Sequence, residues 1–317
     1  MPEIRYNADV AALPAGHPLR LMQDENKNIA ALLDTLTPLA AGDDTAAVLA
    51  QLRTCYQLYS HYGKKDTVLV PVLYTYGVTG PGQIMWQADD EIKDELSALC
   101  RPLQEDAENL PLYRGRIATL LQQIRAMIAK EEQIVANQCL RFFTDEQWYQ
   151  IYGDFQEFAP AFGVEQTSWA PAETWLAAQA AAINTGELLA SKITLPTGEC
   201  TLGELRHILA LLPLDITFID AANHLRFFVN EGHVFDRPKV VLGQDVMNCH
   251  PPRIIPVVEN LLADFRAHKR DHMTVARRIK GRPVMVTYRA VYNAAGDYIG
   301  TVEFVQDCQD ILDQFRA

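Results

Sequence analysis

Two halves of the chain carry different hydrophobic periods. After Pro18, a residue suited to the first position of a helix, the apolar residues Leu19, Met22, Ile29, Leu32, Leu33 and Leu36 recur at helical spacing. Gly42-Asp43-Asp44 breaks this helix and caps the next. The second apolar face runs through Val48, Leu52, Cys55, Leu58 and Tyr62, past His61, to an expected kink or stop at Pro71. Gly77 to Gly82 reads as a loop. A third helix is predicted over about 83–103 and a fourth over about 112–143, with Ile117, Leu120, Leu121, Ile124, Ile128 and Val135 inward. Long amphipathic helices joined by short loops predict a four-helix up-down bundle, which often houses metal or cofactor sites between facing helices.

The second half changes period. Asp215 to Asp220 and Leu225 to Val229 are rich in β-branched and aromatic residues and read as a hairpin turning at Ala221 to His224. A helix over 257–265 precedes three further strands, 273–279, 284–292 and 298–306, with turns at Lys280-Gly281-Arg282 and Asn293 to Asp297. This order predicts an α+β domain with one antiparallel five-stranded sheet and helices on one face. Between the halves, Thr144 to Trp148 looks like a capped helix start. Pro160, Pro171 and the alanine run 177–182 read as a connector with one helix, and Leu195 to Gly198 as a turn. The expected domains are a bundle at 1–155, a helical connector at 156–202 and an α+β domain at 203–317.

Charge narrows the function. With 28 basic and 40 acidic residues the chain carries a net charge of −12, so nucleic acid is not an expected partner. No apolar run reaches the roughly 18 residues that cross a bilayer, so no membrane span is expected. Met1-Pro2-Glu3-Ile4-Arg5 lacks the pattern of a secretory signal. The six cysteines are scattered without a CxxC pair, as reduced thiols in a cytoplasmic protein would be. No kinase motif set, P-loop or Ser/His/Asp arrangement is visible, so any output is expected through dimerisation or a protein partner.

Over residues 204–316 the chain resembles a PAS sensor domain. The likeness rests on Leu212 to Asp220, Gly243-Gln244-Asp245-Val246, Cys249-His250-Pro251-Pro252, Tyr288 to Val291, Gly296 to Gly300 and Val305-Gln306-Asp307. It implies a small ligand, haem or flavin between sheet and helices, or no ligand and a role in dimerisation. Cys249 and His250 are the candidate haem ligands, since thiolate and imidazole both bind haem iron. The alternative is a packed Cys249 and a loop shaped by His250-Pro251-Pro252. Asn248-Cys249 echoes flavin-linked light sensors, but the residues that follow depart from that pattern, so photochemistry is not expected.

The first half resembles a hemerythrin-type (HHE) cation-binding bundle. The residues carrying this are Gly16-His17-Pro18 with Asp24-Glu25-Asn26, His61 to Pro71, Met85 to Ile92, Lys130 to Ile134, and Thr144 to Trp148 as the sequel. The order of both domains resembles a bacterial family in which a hemerythrin-like domain precedes a PAS domain. The resemblance implies a non-haem metal held by imidazoles and carboxylates, with an open position for O₂ or NO. The residues depart from that pattern. Four places after His61 stands Lys65, and Asp66, one step further, faces about 140° away on an ideal helix. Four places before Glu131 stands Met127, and Asp89 or Asp90 stands where a histidine is often found. A five-histidine oxygen carrier is thereby excluded. The candidate metal ligands are His17, His61, Asp89, Asp90 and Glu131, for iron, manganese or zinc. The other reading is a metal-free bundle, with Lys65 paired to Glu131 in place of a metal. The functional expectation is a cytoplasmic sensor that responds to O₂, NO or iron and pairs as a homodimer through the PAS domain or the connector helix. The alternatives are a di-metal carboxylate redox enzyme or metal handler, and a metal-free interaction protein.

Overall fold

A computed structural model describes residues 9–231, 234–279 and 281–316. The readings placed on Met1 to Arg5 and on Lys280 lie outside the described residues. The chain divides into two compact units, Met1–Glu173 and Thr174–Ala317.

The first unit is mostly helical. Helix α1 (Pro18–Ala41) starts where the His17 ring accepts the Leu19 N–H, with Pro18 at its first position. It buries Leu19, Met22, Ile29, Leu33 and Leu36, as the periodicity predicts, and with them the polar Glu25 and Asn26. The next helical stretch is assembled from short pieces: α2 (Thr45–Thr54), a 3₁₀ turn (Cys55–Gln57), α3 (Leu58–Gly63), a π-helical segment (Lys64–Leu69) and α4 (Val70–Thr75). Pro71 opens α4 directly after the π segment and the helical run continues through it, so the expected stop there does not occur. Then come α5 (Gly80–Glu105) and α6 (Leu110–Lys130). A second π segment (Glu131–Val135) runs into α7 (Ala136–Phe142). The capping box predicted at Thr144 is formed with Gln147 and opens α8 (Asp145–Phe155).

This unit continues past the expected boundary at 155. Phe158, Ala161 and Phe162 are buried, and the chain over 167–169 passes across the start of α1. Only a residue without a side chain fits beneath it: a Cβ on Gly16 would lie 2.6 Å from the carbonyl oxygens of Thr167 and Ser168. Helix α9 (Ala170–Ala182) begins in the first unit and ends in the second.

The second unit opens with α10 (Gly186–Leu189) and a hairpin of β1 (Lys192–Leu195) and β2 (Gly198–Thr201), where the sequence shows only a turn. Helix α11 (Leu202–Leu209) follows. Then come β3 (Asp215–Asp220), β4 (Leu225–Asn230), α12 (Ile255–Arg266), β5 (His272–Ile279), β6 (Arg282–Tyr292), β7 (Tyr298–Asp307) and α13 (Gln309–Arg316). The strands form one antiparallel sheet in the order β4-β3-β7-β6-β5. Ile219 and Leu225 from the sheet pack against Leu261, Leu262 and Phe265 of α12, with Val241 and Val246 between. Among the described residues no helix is long and apolar enough to cross a membrane.

Candidate functional site

The core of the first unit holds charge where a helical bundle ordinarily holds hydrocarbon. Glu25 of α1, His61 of α3, Lys64, Lys65 and Asp66 of the first π segment, Asp89 of α5 and Glu131 of the second π segment are all buried. His61 lies between two carboxylates: Nδ1 donates to Glu25 Oε2 at 2.6 Å and Nε2 to Glu131 Oε2 at 3.0 Å. A ring with an acceptor on each side carries both protons, so His61 is an imidazolium. Burial works against that charge, but the Glu131 charge and the hydrogen bonds to Glu131 and Glu25 outweigh it and lift the His61 pKa to about 9.

Lys64 Nζ donates to Glu25 Oε1, and Lys65 Nζ to Asp89 Oδ2. Lys65 also stands 3.0 Å from Glu131 Oε1, 3.8 Å from Asp66 Oδ1 and 4.5 Å from the centroid of the Tyr62 ring. Burial opposes the Lys65 charge, yet the surrounding carboxylates raise its affinity for a proton. Glu131 shows the reverse: burial pushes its pKa up, and Lys65 and His61 bring it down to about 2. Burial, followed by the charge of Asp89, drives the Asp66 carboxyl well above its ordinary range. Burial raises the Asp89 carboxyl as well, against the opposing pull of Lys65.

Both π segments lie at this cluster, and they explain the position of Asp66. In a π turn the hydrogen bonds run from i to i+5, so a residue five places on comes back toward the same face. An ideal α-helix would turn Asp66 away from His61; here it is 2% exposed and beside Lys65.

Of the sequence-predicted metal ligands, His61, Asp89 and Glu131 come together. His17 and Asp90 do not join them. His17 is buried against Trp148 and Trp169, with ring centroids 4.4 and 5.1 Å away, and its Nδ1 accepts the Leu19 N–H at 3.2 Å. Burial drops its pKa to about 4, consistent with a neutral capping ring. Asp90 pairs with Lys93 at 2.9 Å. Sequence reasoning missed Glu25, Lys64 and Asp66 as members of the site. The available signal was two lysines inside the apolar run Leu58 to Val72, where a charge can be buried only if paired.

In the second unit, Cys249 packs on the core cluster and burial pushes its thiol up to about 12. The His250 Nδ1–H donates to the Val246 carbonyl at 2.8 Å.

Residues 17–139 match the model of the hemerythrin HHE cation binding domain, and residues 205–309 match that of a PAS domain. The chain joins a hemerythrin HHE domain to a PAS domain. No curated protein matches it by sequence. Among solved structures it is similar to the C-terminal domain of a Streptococcus mutans protein, at 27% identity and a TM-score of 0.38, over 40% of this chain and 98% of that one. It is also similar to a PAS domain from Colwellia psychrerythraea, at 12% identity and a TM-score of 0.28, over 34% of this chain and 98% of that one. The PAS domain of Bordetella pertussis BvgS aligns at 16% identity and a TM-score of 0.29, over 36% of this chain and 91% of that one.

The HHE family implies metal binding, and the donor set of this HHE domain tests that implication. A metal ion needs lone pairs from several converging ligands. Both ring nitrogens of His61 are committed to carboxylates, and the Lys65 ammonium stands between Asp89 and Glu131, where it repels a second cation. Among the described residues, no group of three or more His, Cys, Asp or Glu side chains is placed to hold a metal ion. In this arrangement the residues do not fit a di-iron centre.

Proposed function

We propose that this is a sensory protein whose HHE domain works without a metal, its own Lys65 ammonium supplying the central positive charge. The pairing of HHE and PAS domains supports the sensory reading. The observation that carries the metal-free part is the position of Lys65 Nζ between Asp89 and Glu131. A buried ammonium with carboxylate partners locks helices together instead of offering an open coordination position. Chemistry that needs a redox metal, such as O₂ or peroxide reduction, therefore has no support from this cluster.

The PAS domain contributes the second half of the proposal. PAS domains often mediate dimerisation and signalling, and a homodimer or a protein output partner fits a chain with no visible output motif. A haem or other small ligand in this domain would find its available nitrogen at His250, since Cys249 is packed into the core.

Thermal unfolding of the full chain in iron(II), manganese(II), zinc(II) or chelator tests the metal-free reading, because a ligand stabilises the fold it binds. The midpoint is expected to be the same in all four. A metal-dependent rise that disappears in His61→Ala would overturn it.

A further inference from the structure

Beside the charged cluster, a pocket of about 470 Å³ opens between the first described residues, α1 and the second π segment. Two kinds of wall meet there. One is apolar, with Leu19, Met22 and Leu69. The other is made of acceptors: Asp9, Gln23, Asn26, Glu131 and Glu132.

Two of those acceptors are short of a donor. Gln23 Oε1 and Asn26 Oδ1 are buried and accept no hydrogen bond from the described residues. Glu131 Oε1 has Lys65 Nζ at 3.0 Å. Asn26, only 2% exposed, has no such neighbour at its oxygen. A buried acceptor without a donor is costly, so this wall favours a ligand rich in N–H groups.

The charge of the rim selects the sign. Asp9 and Glu132 line the pocket beside Glu131, whose charge is already met by His61 and Lys65, and no lysine, arginine or histidine lines it among the described residues. Lys27, which acts on Glu132, is already engaged with Asp24 at 2.7 Å.

We propose that this pocket binds a small aliphatic amine or guanidine. Its cationic head donates to Asn26 and Gln23 beside the acidic rim, and its short apolar body lies along Leu19, Met22 and Leu69. The proposal takes its meaning from the sensory reading above and names the class of signal the HHE domain would receive.

Isothermal titration calorimetry with agmatine on the full chain, at neutral pH and low salt, tests it. Adipate serves as the anionic control, and Asn26→Leu and Gln23→Leu each delete an acceptor without changing charge. Saturable binding of agmatine is expected, with none for adipate and an affinity about tenfold weaker in each variant. Gln23 is the less buried of the two, so Q23L carries the test if N26L does not fold by circular dichroism. No saturable agmatine binding to the folded wild type would overturn the proposal, as would equal affinity in the folded variants. Neither outcome touches the position of Lys65, which is judged separately by metal binding at His61.

Discussion

Lys65 holds its Nζ 3.0 Å from Glu131 Oε1, with both side chains buried. Such a pair gains little over hydrocarbon as a unit, but removing one partner strands the other charge in the core. Lys65→Met leaves Asp89 and Glu131 without their shared cation and is expected to cost about 3–5 kcal/mol of stability. Adding Asp89→Asn to that variant removes one of the stranded charges and should return part of the loss. Urea unfolding of the wild type, the single and the double variant measures both.

The His61 imidazolium fixes a pH dependence. Its pKa rises from 6.5 to about 9 on folding, so its contribution is fully present below 6.5 and is lost as the pH rises toward 9. The loss is on the order of 3 kcal/mol by the conversion of pKa shift to free energy. The Asp66 carboxyl, raised well above 3.8, lowers stability as the pH climbs from that value, so its fall begins on the acid side of the His61 window. Glu131 acts at the other end: its pKa falls from 4.5 to about 2, so its contribution is present above 4.5 and is lost as the pH drops toward 2. Unfolding free energies should fall on the acid side through Glu131 and most steeply on the alkaline side through His61. His61→Gln should flatten the alkaline flank, and an unchanged flank in that variant would contradict the assignment.

Burial places the Cys249 thiol at about 12, far from thiolate at neutral pH. Alkylation by iodoacetamide should therefore leave Cys249 unmodified in the folded protein and modify it in urea, as peptide mass mapping would show. Rapid modification under native conditions would mean that Cys249 is open to solvent.

Gly16 lies under the backbone at Thr167 and Ser168, and backbone atoms cannot step aside as a long side chain can. Gly16→Ala should destabilise the first unit by roughly 1–3 kcal/mol, the usual cost of overpacking. It should also shift Trp169 away from the His17 ring, which tryptophan fluorescence would report.

Much of the fold is legible in the sequence. The stripe from Leu19 to Leu36 becomes the buried face of α1, and the β-rich segments 215–220 and 225–229 become β3 and β4. The helical spacing fails where the helix itself changes. Counting four residues per face puts Asp66 on the wrong side, because the π segment Lys64–Leu69 inserts an extra residue that no apolar period reveals. The hairpin β1–β2 escapes because Leu195 and other strand residues there are exposed, leaving no buried alternation to read. At the site, His61, Asp89 and Glu131 are visible as ligand-type residues and Lys65 as a possible partner of Glu131, but nothing in the sequence shows that Glu25, Lys64 and Asp66 are buried with them. His17 has a ligand's chemistry and a capping role, and only its place at the start of α1 separates the two.

The most direct test of the central claim is metal content by mass spectrometry on tag-free protein expressed with added iron and purified without oxygen. Iron, manganese and zinc are all expected far below stoichiometry, in the wild type and in His61→Ala alike. Near-stoichiometric metal in the wild type, lost in His61→Ala, would contradict a core whose central cation is the Lys65 ammonium.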